Sequence, residues 1–305
     1  MKKTIITIAV LVIIIIGAYF FFRKPPAKAP LELPQTSSTA TTSQTAPITG
    51  SQAQNTPGQT VIGTSVGGNP IIAYQYGTGT AELLVVGGIH GGYEWNTVLL
   101  AQQLADYLKA NPSVIPSNVK VTVIPVLNPD GLAKVAGTTT GNFAAAQVSA
   151  SQSTLTSGRF NGSTVDLNRN FDCDWQSTGT WQNISVSGGS SAFSEPESKA
   201  IENYIQANTP AAVLVWYSAA GGVYASSCHN GVSKETDSLV KTFAAASGYT
   251  AHETFDSYPT TGDMTNWLAK VGIPTISVLL TNHTDTEWSK NIAGVKALLA
   301  QLSTK

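Results

Sequence analysis

The chain has 305 residues, with 17 Lys and Arg against 18 Asp and Glu and a net charge of −1. That balance offers no basic surface for nucleic acid, and 42% hydrophobic residues with 27 glycines suit a globular domain with many tight turns. The two cysteines, Cys173 and Cys228, form no Cys-x-x-Cys pair, which argues against a cysteine zinc cluster or a thioredoxin-type redox motif; they make one disulfide if the domain is exported and are buried thiols if it is not.

Residues 4–22 carry no charge and are rich in Ile and Val, with Lys2 and Lys3 before them and Arg23 and Lys24 after. At ~1.5 Å per residue the run covers most of a ~30 Å hydrocarbon core. No small-x-small cleavage site precedes Arg23, so residues 1–24 read as an uncleaved signal anchor. The flanking charges nearly balance and do not set its orientation. Residues 25–58, rich in Pro, Ser, Thr, Gln and Ala, read as a disordered tether. A tether of this kind places the folded domain, 59–305, away from the membrane, on the outer side.

Residues 61–77 read as two strands joined at a Gly-Gly-Asn turn. The four apolar residues 83–86 read as a buried strand ended by Gly87 and Gly88, and the apolar spacing of Val98, Ala101, Leu104, Ala105 and Leu108 predicts a helix over 95–108. His90 and Glu94 fall between the two. In open α/β sheets that edge is where ligands bind. An imidazole nitrogen and a carboxylate oxygen are zinc ligands that a short loop can present to one ion. The alternative is a helix N-terminal turn, with Glu94 favoured by the helix dipole and His90 solvated.

Residues 119–126 form the next expected strand, leading into LNPDG, 127–131, and 137–163 read as an irregular excursion. Ser194 and Glu197 have capping-box spacing, with Pro196 in the first turn of a helix reaching about residue 207. A strand over 211–217, helices over 234–247 and 262–271, a strand over 274–280 and a helix over 286–302 complete the domain. Strands alternating with helices argue for an α/β domain with a mixed, mostly parallel central sheet.

Seven motifs then occur in order: IGTSVGGNPI, GGIHGGYEWN, NPDG, VDLNRNFD, SEPES, YPTTGDMTNW and GIPTISVLLTNHTDTEW. Together, from about Thr60 to the C-terminus, they resemble the zinc carboxypeptidase family, the carboxypeptidase A-like metallopeptidases. The resemblance implies an eight-stranded mixed sheet flanked by helices. It also implies one zinc held by two histidines and a glutamate, a second glutamate as general base, and a clamp for the peptide's terminal carboxylate. On this match His90 and Glu94 are the first two zinc ligands. The usual spacing is His-x-x-Glu, one residue shorter than here, and the Gly91-Gly92 pair would absorb the difference. Arg159 resembles the arginine that polarises the scissile carbonyl, where a fixed guanidinium stabilises a developing oxyanion. Asn168 and Arg169 resemble the carboxylate clamp, a task suited to bidentate pairing. Tyr258 resembles the mobile tyrosine that closes over substrate. Thr265 falls where the family sets pocket character and does not suggest a strongly charged partner. The match also favours a Cys173–Cys228 disulfide near the site mouth.

Two positions depart from the pattern. Tyr217 stands before Ser218 where the third zinc ligand, a histidine, is expected, and a phenol of pKa ~10 must lose its proton to bind metal well. The catalytic glutamate is expected at Leu279 or Leu280, and a leucine moves no proton. His283 and Asp285 are nearby candidates for the base, and His229 and His252 for the ligand. Three readings follow. The first is a membrane-tethered zinc carboxypeptidase acting on peptides or peptidoglycan stem peptides. The second is a non-catalytic relative that binds C-terminal carboxylates at the cell surface. The third is a structural envelope protein with a decayed site.

Overall fold

In the computed structural model the described residues are 58–304; the expected anchor, 1–24, and all but the last residue of the expected tether, 25–58, lie outside them. Among the described residues no helix is long and apolar enough to cross a membrane.

The chain opens with strands β1 (Gln59–Thr64), β2 (Pro70–Tyr76) and β3 (Ala81–Val86), then helix α1 (Trp95–Ala110) and strand β4 (Val119–Ile124). Two short helices follow, α2 (Pro129–Ala136) and α3 (Gln152–Ser157), and then a hairpin of β5 (Thr178–Trp181) and β6 (Ile184–Ser187). Helix α4 (Pro196–Asn208) leads to β7 (Ala212–Ser218) and β8 (Gly222–Ala225), and α5 (Lys234–Ser247) to β9 (Ala251–His252). Helix α6 (Met264–Lys270), strand β10 (Thr275–Leu280) and helix α7 (Trp288–Leu302) finish the domain.

Eight strands form one sheet in the order β1-β2-β4-β3-β7-β10-β8-β9. The pairs β3–β4, β3–β7, β7–β10 and β8–β9 are parallel, and the rest are antiparallel. This is the mixed, mostly parallel α/β architecture expected from the alternation of elements. The central strands are apolar on both faces because helices cover both. On β7, Ala212, Leu214 and Trp216 pack toward α1, α5 and α7, while Val213, Val215 and Tyr217 pack toward α4 and α6.

Local chemistry explains where elements differ from expectation. LNPDG is not only a turn: Asn128 caps α2 by accepting from Gly131 N at 2.8 Å, and Pro129 sits in its first turn, where a missing N–H costs nothing. The stretch 137–163 holds α3, capped by Ser151. The capping box at α4 does not form. Its N-cap is Glu195, Ser194 Oγ donates to Glu195 Oε1, and Glu197 instead accepts from Val66 N and Asn161 Nδ2. Long-range partners have outcompeted the local pair. The hairpin β5–β6 and the short strands β8 and β9 carry no clear sequence signal.

A buried carboxylate joins the sheet to α4. Glu82 Oε1 on β3 accepts from Tyr204 Oη at 2.6 Å and Thr122 Oγ1 at 2.5 Å, and Oε2 pairs with Lys120 Nζ at 3.0 Å. Burial and this hydrogen bond push the Tyr204 phenol up to about 12. Tyr204→Phe removes one donor from a buried charge and is expected to cost roughly 1–3 kcal/mol. The check is a lower urea midpoint at an unchanged denaturant slope.

Candidate functional site

Three neighbouring parallel strands deliver the site to one edge of the sheet. In register, Val86 of β3 lies beside Val215 of β7, and Tyr217 of β7 beside Leu279 of β10. The loop after β3 carries His90 and Glu94, so all of these groups meet at the strands' carboxyl ends. Side chains alternate along β10. Leu279 therefore faces the cavity beside Tyr217, and Leu280 faces the opposite core.

The residue added between His90 and Glu94 is taken up by a 3-10 turn over Gly91–Glu94. Gly91 has φ +47°, and a Cβ there would lie 2.6 Å from Gly158 O and 2.9 Å from Gly131 Cα. Only glycine fits this approach. The turn sends Tyr93 outward and brings Glu94 Oε1 to 2.9 Å from His90 Nδ1, both residues buried.

Asp166 lies behind His90, wholly buried. Its Oδ1 is 3.5 Å from His90 Nε2, and its Oδ2 is 2.8 Å from both Nε and Nη2 of Arg159. Burial alone would raise the Asp166 carboxyl, but the Arg159 guanidinium, with His90 and Arg169, overrides it and holds it far below the usual carboxylate range. Arg159 also lies against aromatic rings, its guanidinium carbon 4.4 Å from the centre of the Trp181 ring and 5.9 Å from that of Tyr93.

Asn168 Oδ1 accepts from Tyr217 Oη at 3.2 Å and Met264 N at 3.1 Å, while its Nδ2 donates to Asp263 Oδ2 at 2.7 Å. Arg169 is 1% exposed. Its Nε and Nη2 donate to Thr180 O at 3.1 and 2.7 Å, and its Nη1 donates to Asn168 O at 2.6 Å. A guanidinium has five N–H groups, so one remains on each terminal nitrogen. Gly262, at φ +64°, packs on the Arg169 backbone, where a Cβ would lie 2.3 Å from Arg169 O. Tyr258 closes over this group, its ring centre 5.9 Å from the Arg169 guanidinium carbon.

Two cavities result. One, of about 200 Å³, is lined by His90, Glu94, Asn168, Arg169, Tyr217 and Tyr258, with Asp263, Thr265 and Leu279 among the others. The second, of about 570 Å³, is lined by Tyr93, Arg159, Trp181 and His283. Glu94, Ser218, Phe255, Tyr258 and Leu279 border both. The six residues expected at the site, His90, Glu94, Arg159, Asn168, Arg169 and Tyr258, thus share one cleft. Of the four candidate replacements only His283 reaches it. His229 is 68% exposed and pairs with Asp174, His252 stacks on Tyr224, and Asp285 is exposed. Sequence reading missed Asp263, Asn96, Thr180 and Trp181. The first was legible as the N-cap of α6; the others act through long-range contacts with no local pattern.

The fit to zinc is partial. Neither ring nitrogen of His90 nor Glu94 Oε2 has a well-directed hydrogen-bond partner, although all are buried. With its proton on Nε2 toward Asp166, His90 turns a lone pair on Nδ1 toward Glu94 Oε1, an arrangement that a shared cation relieves. The third position does not fit. Burial, with the charges of Asp263 and Glu94, raises the Tyr217 phenol well above its usual value, and its proton is committed to Asn168. The remaining three-residue group of potential donors among the described residues, Cys173, Cys228 and His229, offers no thiolate, because Cys173 and Cys228 form a disulfide with Cα atoms 6.2 Å apart. The residues therefore make an incomplete zinc site.

Asp166→Asn leaves the buried Arg159 charge uncompensated and is expected to cost roughly 3–5 kcal/mol at pH 7. A carboxyl depressed on folding contributes stability that is full above its unfolded value of ~3.9 and lost as pH falls below it. Denaturant unfolding at pH 7 and pH 3 should show this loss in the natural chain and a flatter profile in the variant.

Residues 52–295 match the family model described as zinc carboxypeptidase. The fold is similar to murein-tripeptide amidase MpaA from Escherichia coli O157, at 22% identity over 80% of this chain and 92% of that one, with a TM-score of 0.57. It is similar to the carboxypeptidase A from Helicoverpa armigera, at 18% identity over 80% and 68%, with a TM-score of 0.64. It is also similar to bovine thrombin-activatable fibrinolysis inhibitor, seen in complex with tick carboxypeptidase inhibitor, at 17% identity over 80% and 88%, with a TM-score of 0.62. No curated protein matches by sequence. At these identities the solved structures establish the fold alone, whereas the family model spans most of the chain: the chain belongs to the zinc carboxypeptidase family.

Proposed function

We propose that this domain binds peptides by their C-terminal carboxylates and does not hydrolyse them by the family's zinc route. The observation that carries the reading is the Arg169 guanidinium. It is held by two backbone carbonyls and keeps one N–H on each terminal nitrogen beside a cavity of about 200 Å³, a fork suited to a carboxylate. Asn168 lies beside it and Tyr258 above it. Tyr217 and Leu279 stand at the positions of the third ligand and the base. Leu279 neither takes a proton from water nor gives one to a leaving amine, help worth typically ~10²–10⁴-fold. Arg159, in the adjoining cavity, serves to hold a peptide carbonyl rather than to drive its cleavage. The ligand is a protein or peptidoglycan stem peptide; similarity to a murein-tripeptide amidase supports the latter class. The domain is tethered outside the cytoplasm by the apolar run 4–22, a location supported by the Cys173–Cys228 disulfide.

A second reading, a zinc carboxypeptidase, is favoured by the unpartnered His90–Glu94 pair. Binding and metal analysis separate the two. The full chain should bind a peptide acid about 10–100-fold more tightly than the same peptide amide, a preference worth ~1.4–3 kcal/mol that Arg169→Leu abolishes. It should leave peptide C-termini intact and hold less than one zinc per chain. Stoichiometric zinc with release of C-terminal residues by the unmodified chain would establish the second reading instead. The double variant Tyr217→His, Leu279→Glu should gain zinc.

A further inference from the structure

His283 lies on the loop after β10, four residues past Leu279, and its ring meets that of Tyr93 edge-on at 4.8 Å. Its protonation follows from its neighbours. Asn96 Nδ2 donates to the carbonyls of Asn282 at 2.8 Å and Asp285 at 3.0 Å, which turns Asn96 Oδ1 toward Ser218. Ser218 Oγ has a single proton and donates it to that Oδ1 at 3.1 Å. His283 Nδ1, 3.0 Å from Ser218 Oγ, must then be the donor between those two. The imidazole is left with its lone pair on Nε2, the ring nitrogen that Ser218 does not engage, on a side chain that lines the larger cavity. Burial lowers the His283 pKa and favours this neutral form.

We propose that His283 Nε2 accepts a hydrogen bond from the backbone N–H of the penultimate residue of the bound peptide. The proposal rests on the carboxylate-binding reading above and names what that site recognises next. A peptide whose carboxylate sits on Arg169 leaves the smaller cavity past Tyr258 and Leu279, the border the two cavities share. Beyond it the chain offers a donor, the Arg159 guanidinium, and an acceptor, the His283 imidazole, both on residues that line the larger cavity. A peptide backbone presents the complementary pair, one C=O and one N–H per residue. Leu279, between the cavities, offers neither. The ligand class is therefore a peptide with an unsubstituted amide at its penultimate residue, so that proline in that position is disfavoured.

The test uses the full chain and three labelled forms of one tripeptide: the free acid, its C-terminal amide, and the acid methylated on the penultimate amide nitrogen. Methylation should weaken binding to the natural chain about fivefold, the worth of one hydrogen bond. In His283→Leu the unmethylated acid should bind about fivefold more weakly and the methylation penalty should vanish. His283→Gln, which keeps an acceptor, should retain part of the penalty, and every variant should keep the preference for acid over amide. An equal methylation penalty in the natural chain and in His283→Leu would overturn the role of His283 alone. A natural chain that binds acid and amide equally would overturn the carboxylate reading and this proposal with it.

Discussion

The site depends on one buried carboxylate. Removing Asp166 from water costs several kcal/mol, and that cost is offset only because every face of the group finds a partner. The Arg159 guanidinium takes Oδ2; the Asn168 backbone N–H, at 3.1 Å, and the His90 ring take Oδ1. Each partner is thereby oriented. The imidazole faces Glu94, the guanidinium lies against the Trp181 ring, and the turn that begins at Asp166 carries Asn168 and Arg169 to the cavity. His90, Arg159 and the turn carrying Asn168 and Arg169 thus share one anchor, and none can shift without disturbing a charge that has no access to solvent.

Tyr217 redistributes support within this arrangement. At the end of a strand buried on both faces, it directs its hydroxyl to Asn168 Oδ1, a contact of the ordinary order of ~1 kcal/mol. Asn168 is then held from three sides, by Tyr217, Met264 N and Asp263. A side chain poorly suited to bind metal thus helps to fix Asn168 beside Arg169. Leu279 acts in the same direction, giving the passage between the cavities an apolar wall where a charge would draw water.

Much of this was legible in the sequence. His90, Glu94, Arg159, Asn168, Arg169 and Tyr258 were named from motifs, and the fold brings all six into one cleft, because short loops after parallel strands converge on one sheet edge. The choice between Leu279 and Leu280 needed the pleat and its register, which sequence alone leaves open. The helix begun by Asn128 and Pro129 carried its cap signal in plain view. The failed box at Ser194 and Glu197 shows the converse, a local signal overridden by partners such as Val66 N, far away in the chain. The bearing of His283 on the site could not be read from sequence at all, since it follows from a chain of hydrogen bonds through Ser218 and Asn96.

The hairpin β5–β6 holds Arg169 through the main-chain oxygen of residue 180, while that residue's side chain takes no part in the contact. Any amino acid at position 180 presents the same oxygen. Substitution at position 180 therefore leaves this hold on Arg169 in place, whereas Gly179 beside it is constrained, because a Cβ there would lie 2.8 Å from Arg169 Cδ. Constraint on the lineage falls instead on strand pairing and on Trp181, whose ring lies over Arg159. Relatives that hold this arginine in the same way would be recognised by a paired hairpin at this place in the fold rather than by any shared letter at position 180.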